Sequence, residues 1–244
     1  MTVNWQPFPS GLRLAKNTID IWRTPLDLPQ QKIDGYRSVL SEDELQRARR
    51  FKVKRKNREY IISRGLLRTV LGKTLNSDPR ELVFRYTEHD KPYIETIEQG
   101  LPVKFNVSHS HNQTLIAVTL GNTVGIDIER IRQNVEFRKL ATRFFSRQEG
   151  EELNTYTDTG IPRAFFACWT RKEAFVKALG DGISFGLSEF SVSTNPYDNK
   201  VVLTTHWNEQ EAQGWSLVNI IPDDEYIAAL AINGLNQDLR YWKA

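Results

Sequence analysis

Cysteine is nearly absent from this sequence. Cys168 stands alone, which excludes an internal disulfide framework and fits a reducing compartment. No apolar run approaches the ~20 residues that a membrane helix needs. The opening residues, MTVNWQPFPSGLRLAKN, lack the apolar core of a secretory signal. A cytoplasmic protein with no membrane partner is therefore expected. The sequence also lacks a P-loop, a G-x-G-x-x-G turn and the G-x-S-x-G elbow of serine hydrolases. His89, His109, His111 and His206 are scattered without the spacing of zinc ligands. Cys168 itself reads as a small buried hydrophobe.

What is present describes a globular chain. Its 244 residues suffice for one large domain or two ordinary ones, and 39% hydrophobic against 26% charged residues is a soluble balance. The net charge is only +3, but eight of the twelve residues from Arg47 to Arg58 are basic. That density suits a polyanionic partner, and it also suits a solvated helix face.

The two halves resemble each other. The alternating strand at Thr18 (TIDIWR) is echoed 105 positions later at Thr123 (TVGIDIER). A capping box of the form S-x-x-E follows each, first Ser41 with Glu44 and then Ser146 with Glu149. An amphipathic helix is expected after each box, stopping at Gly72 in the first half and Gly180 in the second. Strands LVFRY (82–86) and TLIAVTL (114–120) are matched by EFSVS (189–193) and YIAALAI (226–232). The pattern predicts an α+β pseudo-dimer of two similar subdomains, 1–112 and 113–244. Each would be a small antiparallel sheet packed with helices, with a ligand cleft at the seam. A single irregular α+β domain is the alternative.

Three segments carry candidate chemistry. In Thr114–Arg130, apolar alternating runs flank Gly121-Asn122, a hairpin signal. On the second run Val124, Ile126 and Ile128 face one way, and Gly125, Asp127 and Glu129 the other. Two carboxylates so close repel and need a cation, and oxygen ligands on a rigid strand suit Mg²⁺ or Mn²⁺. An exposed strand face with ordinary acids also fits the pair taken alone. Pro162–Gly180 has proline near its start and glycine at its end, as a helix prefers. Phe165, Trp169, Ala174 or Phe175, and Leu179 make its apolar stripe. Glu173 and Lys177 share another face, where a surface ion pair would explain them; Glu173 gains meaning only as a third carboxylate. Finally, Ser108-His109 is placed in a loop over the cleft, where both side chains could contact phosphate.

Taken together, VGIDIER, RFFSRQEGEEL and FFACWTRKEAFVKALGDGIS resemble the Sfp-type 4′-phosphopantetheinyl transferases. HDKPYI, FNVSHS, ARRF and SRGLLR match the same family, so the resemblance runs from about Ser41 to Val192. It implies a pseudo-dimer with coenzyme contacts in 1–112 and the metal site and catalytic helix in 113–244. It implies Mg²⁺ (Mn²⁺ possible) on Asp127, Glu129 and Glu173, with Lys177 on the helix as a catalytic partner. It implies coenzyme A as substrate, held by Ser108, His109 and Lys91, with Arg47 and Arg64 near further coenzyme positions. Glu44 stands where some members have lysine, and the last fifty residues carry no transferable motif.

The implied reaction moves phosphopantetheine from coenzyme A to a serine of an apo acyl, polyketide or peptidyl carrier protein, releasing 3′,5′-ADP. Glu173 would be the base and Lys177 would serve the leaving phosphate. The duplication suits a monomer, and no nucleic-acid partner is expected. A metal-dependent nuclease or phosphodiesterase built on the same acids is the alternative.

Overall fold

Strand alternation and helix periodicity sort the apolar residues into four layers: helix, sheet, sheet and helix. The computed structural model of the chain describes residues 2–180, 186–198 and 201–244. After β1 (Gln6–Pro7) and β2 (Thr18–Pro25) come α1 (Gln30–Arg37), α2 (Glu42–Arg49) and the long α3 (Lys54–Leu75). The short strands β3 (Arg85–Tyr86), β4 (Pro92–Tyr93) and β5 (Ile97–Glu98) lead to β6 (Leu101–Ser110), β7 (Gln113–Leu120) and β8 (Val124–Arg130). Then follow α4 (Phe137–Phe144), α5 (Arg147–Asn154), α6 (Ile161–Leu179), β9 (Phe190–Val192) and β10 (Leu203–Thr205). The order ends with α7 (Glu209–Gln213), β11 (Trp215–Asp223), β12 (Tyr226–Asn233) and β13 (Asp238–Lys243). Among the described residues no helix is long and apolar enough to cross a membrane.

The fold is α+β. The two main sheets have the orders β1-β13-β2-β7-β6-β5 and β11-β12-β8, and β3-β4 and β9-β10 form two-stranded ribbons. Ile116, Val118 and Phe105 of the first sheet pack on Leu66, Val70 and Leu71 of α3. Its opposite face, with Ile19, Ile21, Leu115 and Ala117, meets Val124, Ile126 and Ile128 of β8 and Leu230 and Ile232 of β12. The far face of the second sheet, Ile227, Ala229 and Ala231, packs against Phe165, Ala174 and Phe175 of α6. A period of two on the strands and helical spacing on α3 and α6 produce this arrangement directly.

Both capping boxes form: Ser41 opens α2 with Glu44, and Ser146 opens α5 with Glu149. Gly180 ends α6 at φ 89°. Four expectations are corrected. Helix α3 runs through Gly72 and stops at Asn76, which takes the left-handed cap at φ 54°. Gly72 serves a close approach instead, since an added Cβ would lie 2.7 Å from Pro79 Cγ and 2.9 Å from Ser77 O. Gly121-Asn122 does not close a hairpin: β7 pairs with β2 and β6, whereas β8 pairs with β12. The two apolar faces stack across the core between the sheets, so this turn moves the chain from one sheet to the other. The strands expected at 82–86 and 189–193 shorten to Arg85–Tyr86 and Phe190–Val192. Ser108 and His109 lie on β6 rather than in a loop.

Pairing continues through position 112, because β6 and β7 form one hairpin, Ser110 opposite Gln113. The end of the chain also returns to the first sheet, where β13 pairs in parallel with β2 and β1. The last fifty residues thus complete both sheets. Asp20 of β2, fully buried, accepts from Arg240 Nε at 2.8 Å, Arg240 Nη2 at 2.6 Å and Trp242 Nε1 at 2.7 Å. Replacing Arg240 by Ala removes the charged partner and leaves the indole. The expected loss is about 2–3 kcal/mol in urea unfolding, less than for a fully buried pair because Arg240 is partly solvated. An unchanged midpoint would show that β13 is not anchored through Asp20.

Candidate active site

The acids sit on β8 because its alternation leaves one face apolar and turns the other toward α6. Gly125 makes the approach possible. A Cβ there would lie 2.1 Å from Ala174 O and 2.5 Å from Ala178 N, so the helix backbone lies directly against the strand. Asp127 and Glu129 follow on the same face. From α6, half-buried positions at a spacing of four, Trp169, Glu173 and Lys177, look into the same space. Together with Val107, Ser108 and His109 of β6 they line an open cavity of 380 Å³.

The polar contacts are directional. Lys177 Nζ lies 2.6 Å from Asp127 Oδ1 and donates to Ser108 Oγ at 3.0 Å. Ser108 Oγ donates to Asp127 Oδ1 at 2.8 Å, and Ser110 Oγ to Glu129 Oε2 at 2.7 Å. Burial raises the Glu173 carboxyl above its ordinary pKa, with Asp127 repulsion adding to it. Burial also raises Glu129, opposed by the Ser110 hydrogen bond and reinforced by Asp127. His109 is displaced downward, chiefly by desolvation within the cleft.

Three carboxylates therefore face one ammonium. Asp127 Oδ2 is buried without a hydrogen-bond partner. Among the described residues, no group of three or more His, Cys, Asp and Glu side chains is gathered so that it could hold a metal ion as it stands. In donor chemistry, however, the all-oxygen acids, the raised pKa values of Glu129 and Glu173 and the unpartnered Asp127 Oδ2 fit a hard divalent cation.

A second cavity, 470 Å³, adjoins the first through Val107 and His109, and Arg47, Lys56, Tyr60, Arg64 and Tyr86 contribute to its walls. Arg64 donates to Tyr86 Oη at 2.5 Å, and the Arg47 guanidinium lies 5.6 Å from the Tyr86 ring centre. Glu44 is buried beneath it, 3.2 Å from Arg64 Nε and 2.6 Å from Arg68 Nε. Its role is to hold these arginines. The basic run divides: Arg47 and Lys56 reach this cavity, while Arg49 pairs with Glu42 at the surface.

Two expected coenzyme residues have partners within the protein. Ser108 is 5% exposed, and its hydroxyl is taken by Asp127, Lys177 and, at 3.4 Å, the Ile128 N–H. Lys91 donates to the carbonyl of Lys177 and, at 3.5 Å, to that of Ala178, capping the end of α6. Burial, followed by repulsion from Lys104, lowers its pKa to about 8. The Asp181–Ser184 end of the helix motif lies outside the described residues. Within that motif Lys172 is structural: it is buried, 2.8 Å from Glu149 Oε2, and donates to Leu187 O at 2.7 Å.

Sequence reasoning missed Asn106 and Ser110 as site residues. Asn106, Ser108 and Ser110 recur every second residue on a strand otherwise apolar at its centre, and that alternation was the available signal. Lys56 was signalled only as part of the basic run, and Tyr60 and Tyr86 carried no comparable pattern.

Residues 123–231 match the family model described as the 4′-phosphopantetheinyl transferase superfamily. Residues 28–120 match a second, described as 4′-phosphopantetheinyl transferase, N-terminal. The chain is 37% identical to 4′-phosphopantetheinyl transferase HetI of Nostoc, over 98% of this chain and 97% of that one. It is 32% identical to a 4′-phosphopantetheinyl transferase of Bacillus subtilis, over 65% and 68% of the two chains. With 4′-phosphopantetheinyl transferase Sfp of Bacillus subtilis strain 168 it shares 30% identity, over 68% and 71%.

The Gly125 contact can be tested without substrate. Gly125→Ala should destabilise the chain by about 2–3 kcal/mol, since neither backbone atom of α6 can yield like a side-chain end. Urea unfolding at the wild-type midpoint would mean that α6 does not lie against β8 as described.

Proposed function

The chain belongs to the 4′-phosphopantetheinyl transferase superfamily, and from that premise we propose how its residues divide the reaction. It transfers the 4′-phosphopantetheine arm of coenzyme A to a serine of an apo acyl, polyketide or peptidyl carrier protein. The observation that carries this reading is the crowd of Asp127, Glu129 and Glu173 beside Lys177, open to a cationic, aromatic cavity through His109.

Residues 1–112 supply the coenzyme contacts and 113–244 the acids and the catalytic helix, although β7 belongs to the first sheet. Arg47, Arg64 and His109 bind the nucleotide end. Tyr60 and Tyr86 offer ring faces to the adenine. Asp127, Glu129 and Glu173 would hold Mg²⁺, or Mn²⁺ in its place, which when bound neutralises charge on the pyrophosphate.

The carrier serine oxygen bonds to the phosphorus next to pantetheine, and the bond from that phosphorus to the 3′,5′-ADP oxygen breaks. Glu173 takes the serine proton, directly or through a water, and its raised pKa makes it a stronger base than an ordinary carboxylate. Lys177 holds the departing phosphate oxygen with its ammonium. A cytoplasmic monomer agrees with this reading, as does the single cysteine, Cys168, buried in the α6 core. The nuclease alternative draws no support from the relatives, all named as transferases.

Purified protein with Mg²⁺, coenzyme A and an apo carrier should give a carrier heavier by one phosphopantetheine, with equimolar 3′,5′-ADP. EDTA should stop it. Glu173→Gln should slow transfer by about 10²–10⁴, the usual contribution of a general base. Lys177→Ala should lower kcat more than it raises KM. Several apo carriers left unmodified, with a nucleic acid cleaved instead, would overturn the reading. At the coenzyme end, His109→Ala should raise the KM for coenzyme A more than for dephospho-coenzyme A, by the ~1.5–3 kcal/mol of a charge-assisted contact. Equal effects on both substrates would place His109 away from the 3′-phosphate.

A further inference from the structure

The two serines of β6 facing β8 repeat one motif. Ser108 Oγ accepts from the Ile128 N–H at 3.4 Å and donates to Asp127 Oδ1 at 2.8 Å. Ser110 Oγ accepts from the Arg130 N–H at 3.1 Å and donates to Glu129 Oε2 at 2.7 Å. In each case the hydroxyl receives the amide after an acid and gives its proton to the acid itself.

The chemistry leaves no freedom in this arrangement. A hydroxyl has one proton and two acceptor lone pairs. The backbone N–H can only donate, so it must take a lone pair, and the single proton is left for the carboxylate. At Ser110 this ties Oε2 of Glu129 and leaves Oε1 for another partner. Glu129 is half-buried on a strand end, with rotamers that would otherwise carry its carboxylate away from Asp127. Groups that orient a metal ligand in this way commonly govern affinity nearly as strongly as the ligand does.

We propose that Ser110 is a positioning residue for the transfer reaction: its hydroxyl, fixed by the Arg130 N–H, presents Glu129 to the divalent cation. This rests on Glu129 being a ligand, as proposed above. It assigns a function to a serine that lines neither cavity and reaches the first through Glu129.

The test measures Mn²⁺ binding to the full chain with coenzyme A present, by loss of the free-ion EPR signal. Wild type, Ser110→Ala, Ser110→Thr and Glu129→Ala are compared, with the thermal midpoint of each. Ser110→Ala should weaken Mn²⁺ binding by about 10-fold or more. Ser110→Thr, which keeps the hydroxyl, should restore it. Should the alanine chain fail to fold, Ser110→Cys, similar in size and a poorer donor, makes the same comparison. Wild-type affinity in Ser110→Ala with a lowered thermal midpoint would overturn the proposal and leave Ser110 as a stitch between strands. So would equal weakening in the alanine and threonine variants. If Glu129→Ala and wild type bind Mn²⁺ alike, the ligand assignment itself fails, and the role of Ser110 falls with it; carrier modification, measured separately, would still stand.

Discussion

Strand β8 pairs with β12 along one edge only, so the N–H groups of Ile126, Ile128 and Arg130 on its other edge need acceptors. A buried amide left unbonded costs about 1–3 kcal/mol, so three together could not be tolerated. Strand β6 meets the need with side chains instead of carbonyls: Asn106 Oδ1 at 2.9 Å from Ile126 N, and the hydroxyls of Ser108 and Ser110 for the other two. Side-chain oxygens reach farther than a ladder does. The strands stay separate sheets, and the gap between them opens into the cavity that the acids share. The alternation of N-x-S-x-S on β6 against that of β8 is what joins the halves and aims the site at once.

The same seam concentrates charge at a cost to the fold. Asp127, Glu129 and Glu173 share a half-buried cavity with Lys177, and burial, reinforced by the repulsion of Asp127, raises the pKa values of the two glutamates against the pull of Lys177 and, at Glu129, of Arg132. Gly125 sharpens the crowding, because the strand and helix backbones meet there and side chains on both sides are forced into a narrow space. Elsewhere several buried charges are paired, and the buried Arg171 is held by the carbonyls of Ser193 and Asn195. Lys172 meets Glu149, Arg68 meets Glu44 and Arg240 meets Asp20. Three acids crowded beside one lysine in a cavity suit a site built for a charged ligand and its cation.

Local patterns made much of this legible. The alternation of β8, the two capping boxes and the Gly180 stop depend on neighbours within a few residues, so the sequence alone carried them. The turn at Gly121-Asn122 was misread because its chemistry is that of a hairpin, while its outcome depends on which strands lie alongside. Gly72 was misread for the opposite reason: Pro79 requires the missing side chain there, and Asn76 supplies the cap. The acids and Lys177 were found through their spacing and the family resemblance, and they do share one cavity. The partners of Ser108 and Lys91, Asp127 and the end of α6, lie 19 and 86 residues away along the chain and were not legible. No local rule reaches that far.

A crystal of the protein grown with coenzyme A and Mn²⁺ gives the most direct measurement, through the anomalous scattering of manganese. The expected result is one peak bonded to oxygens of Asp127, Glu129 and Glu173, against the pyrophosphate, with the 3′-phosphate beside His109. A manganese peak away from these carboxylates, or a coenzyme seated in the separate cavity near Arg58 and Arg130, would contradict it.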